Sequence, residues 1–220
     1  MTDYAIARRH MVDSQIKTNG VITPGIIEAF EQTPREEFVP KAIRGVAYTD
    51  EDVSLGHGRF LLEPSVHAKL VEAAKPTAQD VVLDIGCGTG YSTTILSPLT
   101  MTVIALEENQ DYLDRATALW EKLGANNVAS LKGPLNLGSA RHAPFSLIFI
   151  NGAVAEIPQN IVTQLSPQGR LLTVLRKPGE VMGQAVLVKN LGNGQSASTT
   201  LFGAASPYVP GFEPKTTFVF

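Results

Sequence analysis

Apolar runs of strand length recur through the middle of the chain. They read VVLDI (81–85), TVIALE (102–107), NVASLK (127–132), FSLIFI (145–150) and GRLLTVLR (169–176). Helical stretches separate them, and the clearest runs from Asn109 to Leu123 and stops at Gly124. Nearly continuous apolar strands that alternate with helices are typical of a parallel sheet covered on both faces. The pattern therefore predicts an α/β fold with a mostly parallel, seven-stranded-type sheet and helices on both of its faces.

The first fifty residues follow a different pattern, which predicts short helices. Ile6, Met11 and Ile16 are spaced so that they could share one helical face. Thr23 and Pro24 form a capping and first-turn pair for a second helix. Pro64 opens a further helix that ends before Pro76. These features predict an N-terminal helical extension with an irregular loop over residues 1–78, joined to an α/β core over residues 79–220 in one compact unit.

The C-terminal part of the chain predicts antiparallel structure. QAVLVKN (184–190) and STTLFG (198–203) flank the turn sequence LGNG (191–194), which favours a hairpin. TTFVF (216–220) is a further strand candidate. Few charged residues follow position 190, so we expect much of this region to be packed.

The strongest chemical motif is a glycine loop between a strand and a helix. In VLDIGCGTGYST, Gly86, Gly88 and Gly90 alternate directly after the apolar strand. Glycine lets the backbone turn sharply and lets a ligand approach it closely. A dinucleotide-binding loop of the form G-x-G-x-x-G would need glycine at position 91, where the chain has Tyr91. The loop therefore favours an adenosyl ligand without a pyrophosphate, and an NAD-linked enzyme is a distant alternative.

Two acids support an adenosyl ligand. Asp84 lies at the end of the first strand, and Glu107 follows the next strand, directly after its apolar run. Neighbouring parallel strands place their carboxyl ends side by side, and an acid at this distance accepts hydrogen bonds from ribose hydroxyls. Glu108 competes for that role, but Glu107 follows the strand more closely.

Composition limits the classes of function. The chain has 220 residues, a net charge of −3 and one cysteine, Cys87. The charge argues against a nucleic-acid partner, and a single cysteine excludes an internal disulfide and makes a metal site unexpected. The N-terminus lacks the apolar core of a signal peptide, and no apolar run is long enough for a membrane span. We expect a cytoplasmic protein, monomeric or weakly dimeric, with no membrane partner.

The glycine motif with its downstream acid resembles class I S-adenosylmethionine-dependent methyltransferases, which have a Rossmann-like fold. Further segments narrow the resemblance to the protein-L-isoaspartate (D-aspartate) O-methyltransferase family, from about residue 8 to residue 178. They are PREEFVP (34–40), AY (47–48), GHG (56–58) before the Pro64 helix, APFSLIFINGAVAEIP (143–158) and LSPQGRLLTVL (165–175). The resemblance implies methyl transfer from S-adenosylmethionine, which leaves S-adenosyl-L-homocysteine, to the carboxylate of isoaspartyl residues in damaged proteins or peptides.

The resemblance also implies a cofactor site and a substrate cleft. The cofactor site would include Glu107 on the ribose and Asp84 with the loop glycines around the methionine part. Leu135, His57 and His67 would complete it, and the substrate cleft would be bordered by residues of two segments: Phe60 and Leu61, and Asn151, Gly152 and Ala153.

Two segments depart from the family pattern. The family has threonine, a hydrophobic residue and serine where this chain has Phe60, Leu61 and Leu62. The family serine lies beside the methyl donor, and Leu62 can neither donate nor accept a hydrogen bond. Glu63 could take a new role there, although a solvent-facing carboxylate is the simpler interpretation. Pro134 stands where the family has an aspartate near the adenine amino group.

These departures leave alternatives open. The first is a methyltransferase of the same fold with an unknown small substrate or another peptide. The second is a regulatory relative that binds S-adenosylmethionine without catalysis.

Overall fold

A computed structural model describes residues 3–215, so the predicted strand over 216–220 lies outside the described residues. The described residues form six α-helices: α1 (Tyr4–Met11), α2 (Pro24–Gln32), α3 (Pro64–Ala74), α4 (Tyr91–Leu96), α5 (Gln110–Leu123) and α6 (Gln159–Val162). The boundaries predicted for α5 are confirmed. Asn109 accepts hydrogen bonds from two backbone N–H groups at its start, and Gly124 ends it in the left-handed conformation.

A mixed sheet of seven strands forms the centre of the fold. Its strands are β3 (Val81–Ile85), β4 (Thr102–Glu107), β5 (Val128–Lys132), β6 (Phe145–Val154), β7 (Leu165–Leu175), β8 (Gly183–Gly192) and β9 (Gln195–Ala204). They lie in the order β5-β4-β3-β6-β7-β8-β9. The first five strands pair in parallel, and β8 and β9 add the predicted antiparallel hairpin.

The sheet is covered unequally on its two faces. The N-terminal helices and α3 to α5 cover one face, where Val82 and Phe149 are buried. On the other face α6, a short 3₁₀ turn at Leu135–Leu137 and the segment around Val209 cover Leu83 and Ile148. This division follows from right-handed crossovers, because the chain crosses β3 to β5 in one direction and then returns to β6. One buried cluster includes residues of the N-terminal extension and of the sheet.

Two details of the N-terminal region differ from the prediction. Met11 and Ile16 are buried, but Ile6 is 51% exposed, so the three residues do not share one buried face. Ile6 and Met11 both lie in α1, and their spacing of five residues places them about 140° apart around a regular helix. The π turn that follows α1 has more residues per turn, so it brings Ile16 to the same side as Met11. The side chain of Thr23 does not cap α2, and its hydroxyl donates to Glu72 at 2.7 Å.

Two segments outside the main sheet cover the carboxyl ends of its strands. A short antiparallel hairpin, β1 (Val53–Gly56) and β2 (Arg59–Leu61), precedes α3. We call residues 206–212 the strap. Backbone hydrogen bonds join the strap to β6: Ala153 N–H donates to Pro207, and Val209 N–H donates to Ala153. Among residues 3–215 there is no helix with the length and apolar character that crossing a bilayer would need.

Candidate active site

The glycine loop lies between the end of β3 and the start of α4. Gly86, Gly88 and Gly90 have φ values of 72°, 54° and 93°, in the left-handed region that glycine adopts without strain. Gly90 directly precedes α4, and Trp120 packs against it, with the indole N–H donating to the Gly90 carbonyl at 3.1 Å. The alternating glycines therefore allow a backbone conformation that would be strained with any other residue at these positions.

Asp84 is completely buried at the end of β3. Its carboxylate accepts hydrogen bonds from the hydroxyls of Ser92 and Thr93 in α4, and from the side-chain amide of Asn151 at 2.6 Å. Burial raises the pKa of Asp84, and these three hydrogen bonds oppose that shift. Asp84 thus ties the first turn of α4 and the end of β6 to the glycine loop.

Glu107 is also completely buried, at the end of the neighbouring strand β4. Three backbone N–H groups donate to its carboxylate, from Gly88 at 3.0 Å, Glu108 at 2.9 Å and Asn109 at 3.0 Å. The side chain of Glu108, by contrast, is 47% exposed. Of the two adjacent acids, Glu107 is the one that faces the loop.

Arg59 of β2 also donates to Glu107. Its Nε and Nη2 atoms donate to the two carboxylate oxygens at 2.8 and 2.9 Å, and Nη2 also donates to Glu108 at 3.0 Å. The Arg59 side chain is 4% exposed. Burial opposes its charge, but the hydrogen bonds and charge of both glutamates outweigh that effect and raise the pKa of Arg59.

Side chains of the hairpin and of the strap cover the glycine loop. A methyl group built on Gly88 would lie 3.1 Å from Leu55, and one built on Gly86 would lie 3.4 Å from Val209. The cleft beside the loop has a volume of about 10 Å³ and is lined by Phe60, Leu61, Leu62, His67, Gly86, Cys87, Tyr91, Ser92 and Asn151. That volume holds about one water molecule, whereas small-molecule sites usually span a few hundred Å³. The site is therefore closed in this conformation.

The loop predicted to contact substrate lies in this cleft. Leu61 and Leu62 are buried, Phe60 is half-buried, and the Leu62 carbonyl accepts a hydrogen bond from the buried guanidinium of Arg35 at 2.8 Å. Glu63 follows the loop, half-buried, and accepts a hydrogen bond from Ser65. The cleft wall at position 62 is apolar, as the sequence predicts.

The two histidines predicted near the cofactor lie in different surroundings. His67 of α3 is buried in the cleft wall, with its ring 5.3 Å from Phe30 and 5.6 Å from Phe149. Burial, followed by the charge of Arg35, lowers the pKa of His67 to about 3, so the ring is neutral near pH 7. His57 lies in the exposed turn of the hairpin, against the ring of Tyr112, and does not line the cleft.

The residues predicted to border the substrate lie at the end of β6. Asn151 lines the cleft, while Gly152 and Ala153 lie under the strap. A methyl group on Gly152 would come within 2.7 Å of Val209, so only glycine allows this close approach. Leu135 of the short turn after β5 is buried near Gly86, with its Cδ1 atom 3.6 Å from the position of a Gly86 methyl group.

The family model for protein-L-isoaspartate(D-aspartate) O-methyltransferase matches residues 7–211. The chain belongs to this family. It is 34% identical over 171 residues to protein-L-isoaspartate O-methyltransferase 1 of Rhodopseudomonas palustris, covering 78% of this chain and 70% of the relative. It is 31% identical over 192 residues to the protein-L-isoaspartate O-methyltransferase of Koribacter versatilis, covering 87% and 86%.

Solved structures confirm the methyltransferase fold. One protein-L-isoaspartate O-methyltransferase aligns with a TM-score of 0.78 at 24% identity, covering 93% of this chain and 66% of its own. A protein described as a beta-aspartate methyltransferase from Plasmodium falciparum, in complex with S-adenosyl-L-homocysteine, aligns with a TM-score of 0.74 at 18% identity. That alignment covers 94% of this chain and 98% of the other. The predicted Rossmann-like class I methyltransferase fold is confirmed.

Membership of the isoaspartate O-methyltransferase family makes S-adenosylmethionine the expected methyl donor, and it favours the isoaspartate interpretation over the two alternatives. The residues present fit this cofactor in their chemistry, because the glycine loop allows close approach and Glu107 ends the adjacent strand. The space does not fit it in this conformation, since Arg59, Leu55 and Val209 lie over the loop. In this conformation these side chains therefore cover the glycine loop.

The sequence pattern did not identify Arg59 as a site residue, although Arg59 lies in the segment GRFLLEP (58–64) next to the predicted substrate loop. Its signal is a single cation within an apolar stretch that follows GHG. A long cation among apolar residues has to find a buried acid or reach solvent. The strap residue Val209 carried no signal, because its contact with the glycine loop spans 123 residues of sequence.

Proposed function

We propose that this protein transfers the methyl group of S-adenosylmethionine to the carboxylate of isoaspartyl residues in proteins or peptides. One observation carries the proposal. Three alternate glycines in the left-handed conformation follow β3, and a buried acid ends β4, within a chain that matches the isoaspartate methyltransferase family over residues 7–211. An adenosyl ligand needs that combination of close backbone approach and an acceptor for its hydroxyls.

The cofactor site is proposed from the residues at the carboxyl ends of β3 and β4. Gly86 and Gly88 would let the ligand approach the backbone, and Glu107 would accept the ribose hydroxyls. Leu135 would border the adenine ring, in place of the family aspartate whose position holds Pro134. Asp84 would act beneath the loop, where it accepts hydrogen bonds from Ser92, Thr93 and Asn151.

When bound, S-adenosylmethionine supplies a methyl group on a sulfonium, which leaves as a neutral thioether. The acceptor carboxylate is ionised near neutral pH and needs no general base. The protein's task is therefore positioning and exclusion of water. Phe60, Leu61 and Leu62 provide an apolar wall for that purpose, and Asn151 holds the end of β6 against the glycine loop.

Transfer of a tritiated methyl group to a peptide tests the proposal. We expect label in a peptide with one isoaspartyl residue, released as volatile methanol after mild base because the product is a methyl ester. The same peptide with an ordinary aspartyl residue is the control and should remain unlabelled. Equal labelling of both peptides, or of neither, would overturn the isoaspartate assignment.

A further inference from the structure

The carboxylate assigned to the ribose has no acceptor capacity left in this structure. Arg59 donates to both oxygens of Glu107, and three backbone N–H groups donate to the same oxygens. Five donors exceed the roughly four lone-pair positions that a carboxylate offers. A ribose hydroxyl could donate to Glu107 only after one of these donors has left. The backbone donors belong to the glycine loop and the start of α5, so Arg59 is the one that can move.

The position of Arg59 couples its release to the opening of the whole site. Arg59 and Leu55 lie on the two strands of the same hairpin, and Leu55 covers Gly88. The hairpin is short, its turn contains three consecutive residues of positive φ (56–58), and Glu107 holds it from below through Arg59. Movement of the hairpin would therefore remove both the guanidinium and the apolar cover from the loop.

Glu108 offers Arg59 a partner outside the site. Its carboxylate is 47% exposed and already accepts a hydrogen bond from Nη2 at 3.0 Å. A guanidinium that leaves Glu107 can keep this ion pair while its charge returns to water. Separation of Arg59 from Glu107 therefore does not leave an unpaired guanidinium buried in the protein. Such an unpaired buried charge would be strongly unfavourable.

We propose that Arg59 holds the cofactor site closed by binding the carboxylate that the ribose would use, and that it sets the affinity for S-adenosylmethionine. The inference rests on the proposed function. Binding of the cofactor then includes the cost of separating Arg59 from Glu107, so the measured affinity is reduced by the fraction of molecules that are open.

Calorimetric titration with S-adenosyl-L-homocysteine tests this role without relying on turnover. Arg59→Gln keeps one donor near Glu107 but removes the charge and the bidentate geometry. We expect the dissociation constant of this variant to be lower than that of the wild type by about tenfold or more. Arg59→Lys keeps the charge but not the paired hydrogen bonds, and we expect an intermediate value.

Arg44→Gln is the matched control. It also removes one positive charge, but Arg44 pairs with Glu37 outside the cleft. It should bind as the wild type does. If Arg59→Gln does not fold, Arg59→Lys still decides the question, together with hydrogen exchange of the wild type. Added S-adenosyl-L-homocysteine should then increase exchange in residues 53–61.

The outcomes separate this inference from the proposed function. Equal or weaker binding by both Arg59 variants, with clear binding by the wild type, would overturn the role of Arg59 and leave the proposed function intact. If neither the wild type nor any variant binds S-adenosyl-L-homocysteine, and no methyl group is transferred to the isoaspartyl peptide, both the role of Arg59 and the proposed function would be overturned. Binding by the Arg59 variants alone would support the inference most strongly.

Discussion

The side-chain amide of Asn151 donates to Asp84 Oδ1 at 2.6 Å and to the carbonyl of Ile85 at 3.1 Å. This pair joins the ends of β6 and β3 beside the glycine loop. Asp84 is completely buried, so each donor that it keeps offsets part of the cost of holding a carboxylate away from water. Asn151 therefore supports the glycine loop from beneath, and this structural role does not depend on any contact between Asn151 and a substrate.

Replacement of Asn151 by alanine should destabilise the protein by about 1.5–3 kcal/mol, the usual contribution of a hydrogen bond to a charged group. Urea unfolding at pH 8 measures the change. In an Asp84→Asn background the same substitution should cost less, because the group left without a partner is then uncharged. An identical cost in both backgrounds would contradict the pairing as the source of the effect.

Leu62→Ser should raise methylation of an isoaspartyl peptide. The substitution places a hydroxyl in the apolar cleft wall, at the position where the family has serine. A new hydrogen bond to a charged carboxylate would increase kcat/KM by about tenfold or more. Tritium transfer at several peptide concentrations measures the change.

Leu61→Ser is the control for Leu62→Ser, since the neighbouring Leu61 is equally buried. Both variants should lose about 2–4 kcal/mol of stability, because each removes a buried leucine side chain. The gain in activity should belong to Leu62→Ser alone. A similar gain in both variants would point to a loosened loop instead of a restored hydroxyl.

Local pattern predicted the sheet because its central strands are buried on both faces and therefore read as apolar runs. The acid at Glu107 could also be predicted, since strand order places it beside the loop. The shared burial of Met11 and Ile16 could not, because it depends on a π turn after α1 that the local pattern does not signal. The closure of the site could not be predicted either, because Arg59 and Glu107 are 48 residues apart in the sequence and local pattern does not show that they pair.

Asp52→Asn should stabilise the protein at neutral and alkaline pH. Asp52 accepts the backbone N–H of Glu63 at 2.7 Å, and burial raises its pKa to about 6. A carboxyl whose folded pKa lies above its unfolded value contributes stability below pH 4, and that contribution is lost as pH rises through 6. Asparagine can accept the same hydrogen bond without a charge. The variant should therefore gain about 2 kcal/mol over the wild type between pH 4 and pH 8.

Urea unfolding of the Asp52→Asn variant at pH 4, 6 and 8 measures this difference. Asp50→Asn removes one negative charge from an exposed position two residues away and controls for net charge. The variant and the wild type should differ least at pH 4. A constant difference across the three pH values would show that Asp52 does not titrate with a raised pKa.

His67→Phe should remove part of the acid sensitivity of the fold. The His67 ring is buried among aromatic neighbours, and its pKa of about 3 lies far below that of the unfolded chain. A depressed folded pKa means that its stabilising contribution is present above pH 6.5 and is lost as pH falls towards 3. The wild type should lose about 2 kcal/mol from this group between pH 7.5 and pH 5, and the variant should not. His67→Gln, which packs less well but does not titrate, should show the same flat dependence at a lower overall stability. An unchanged acid slope in both variants would assign the loss to other groups.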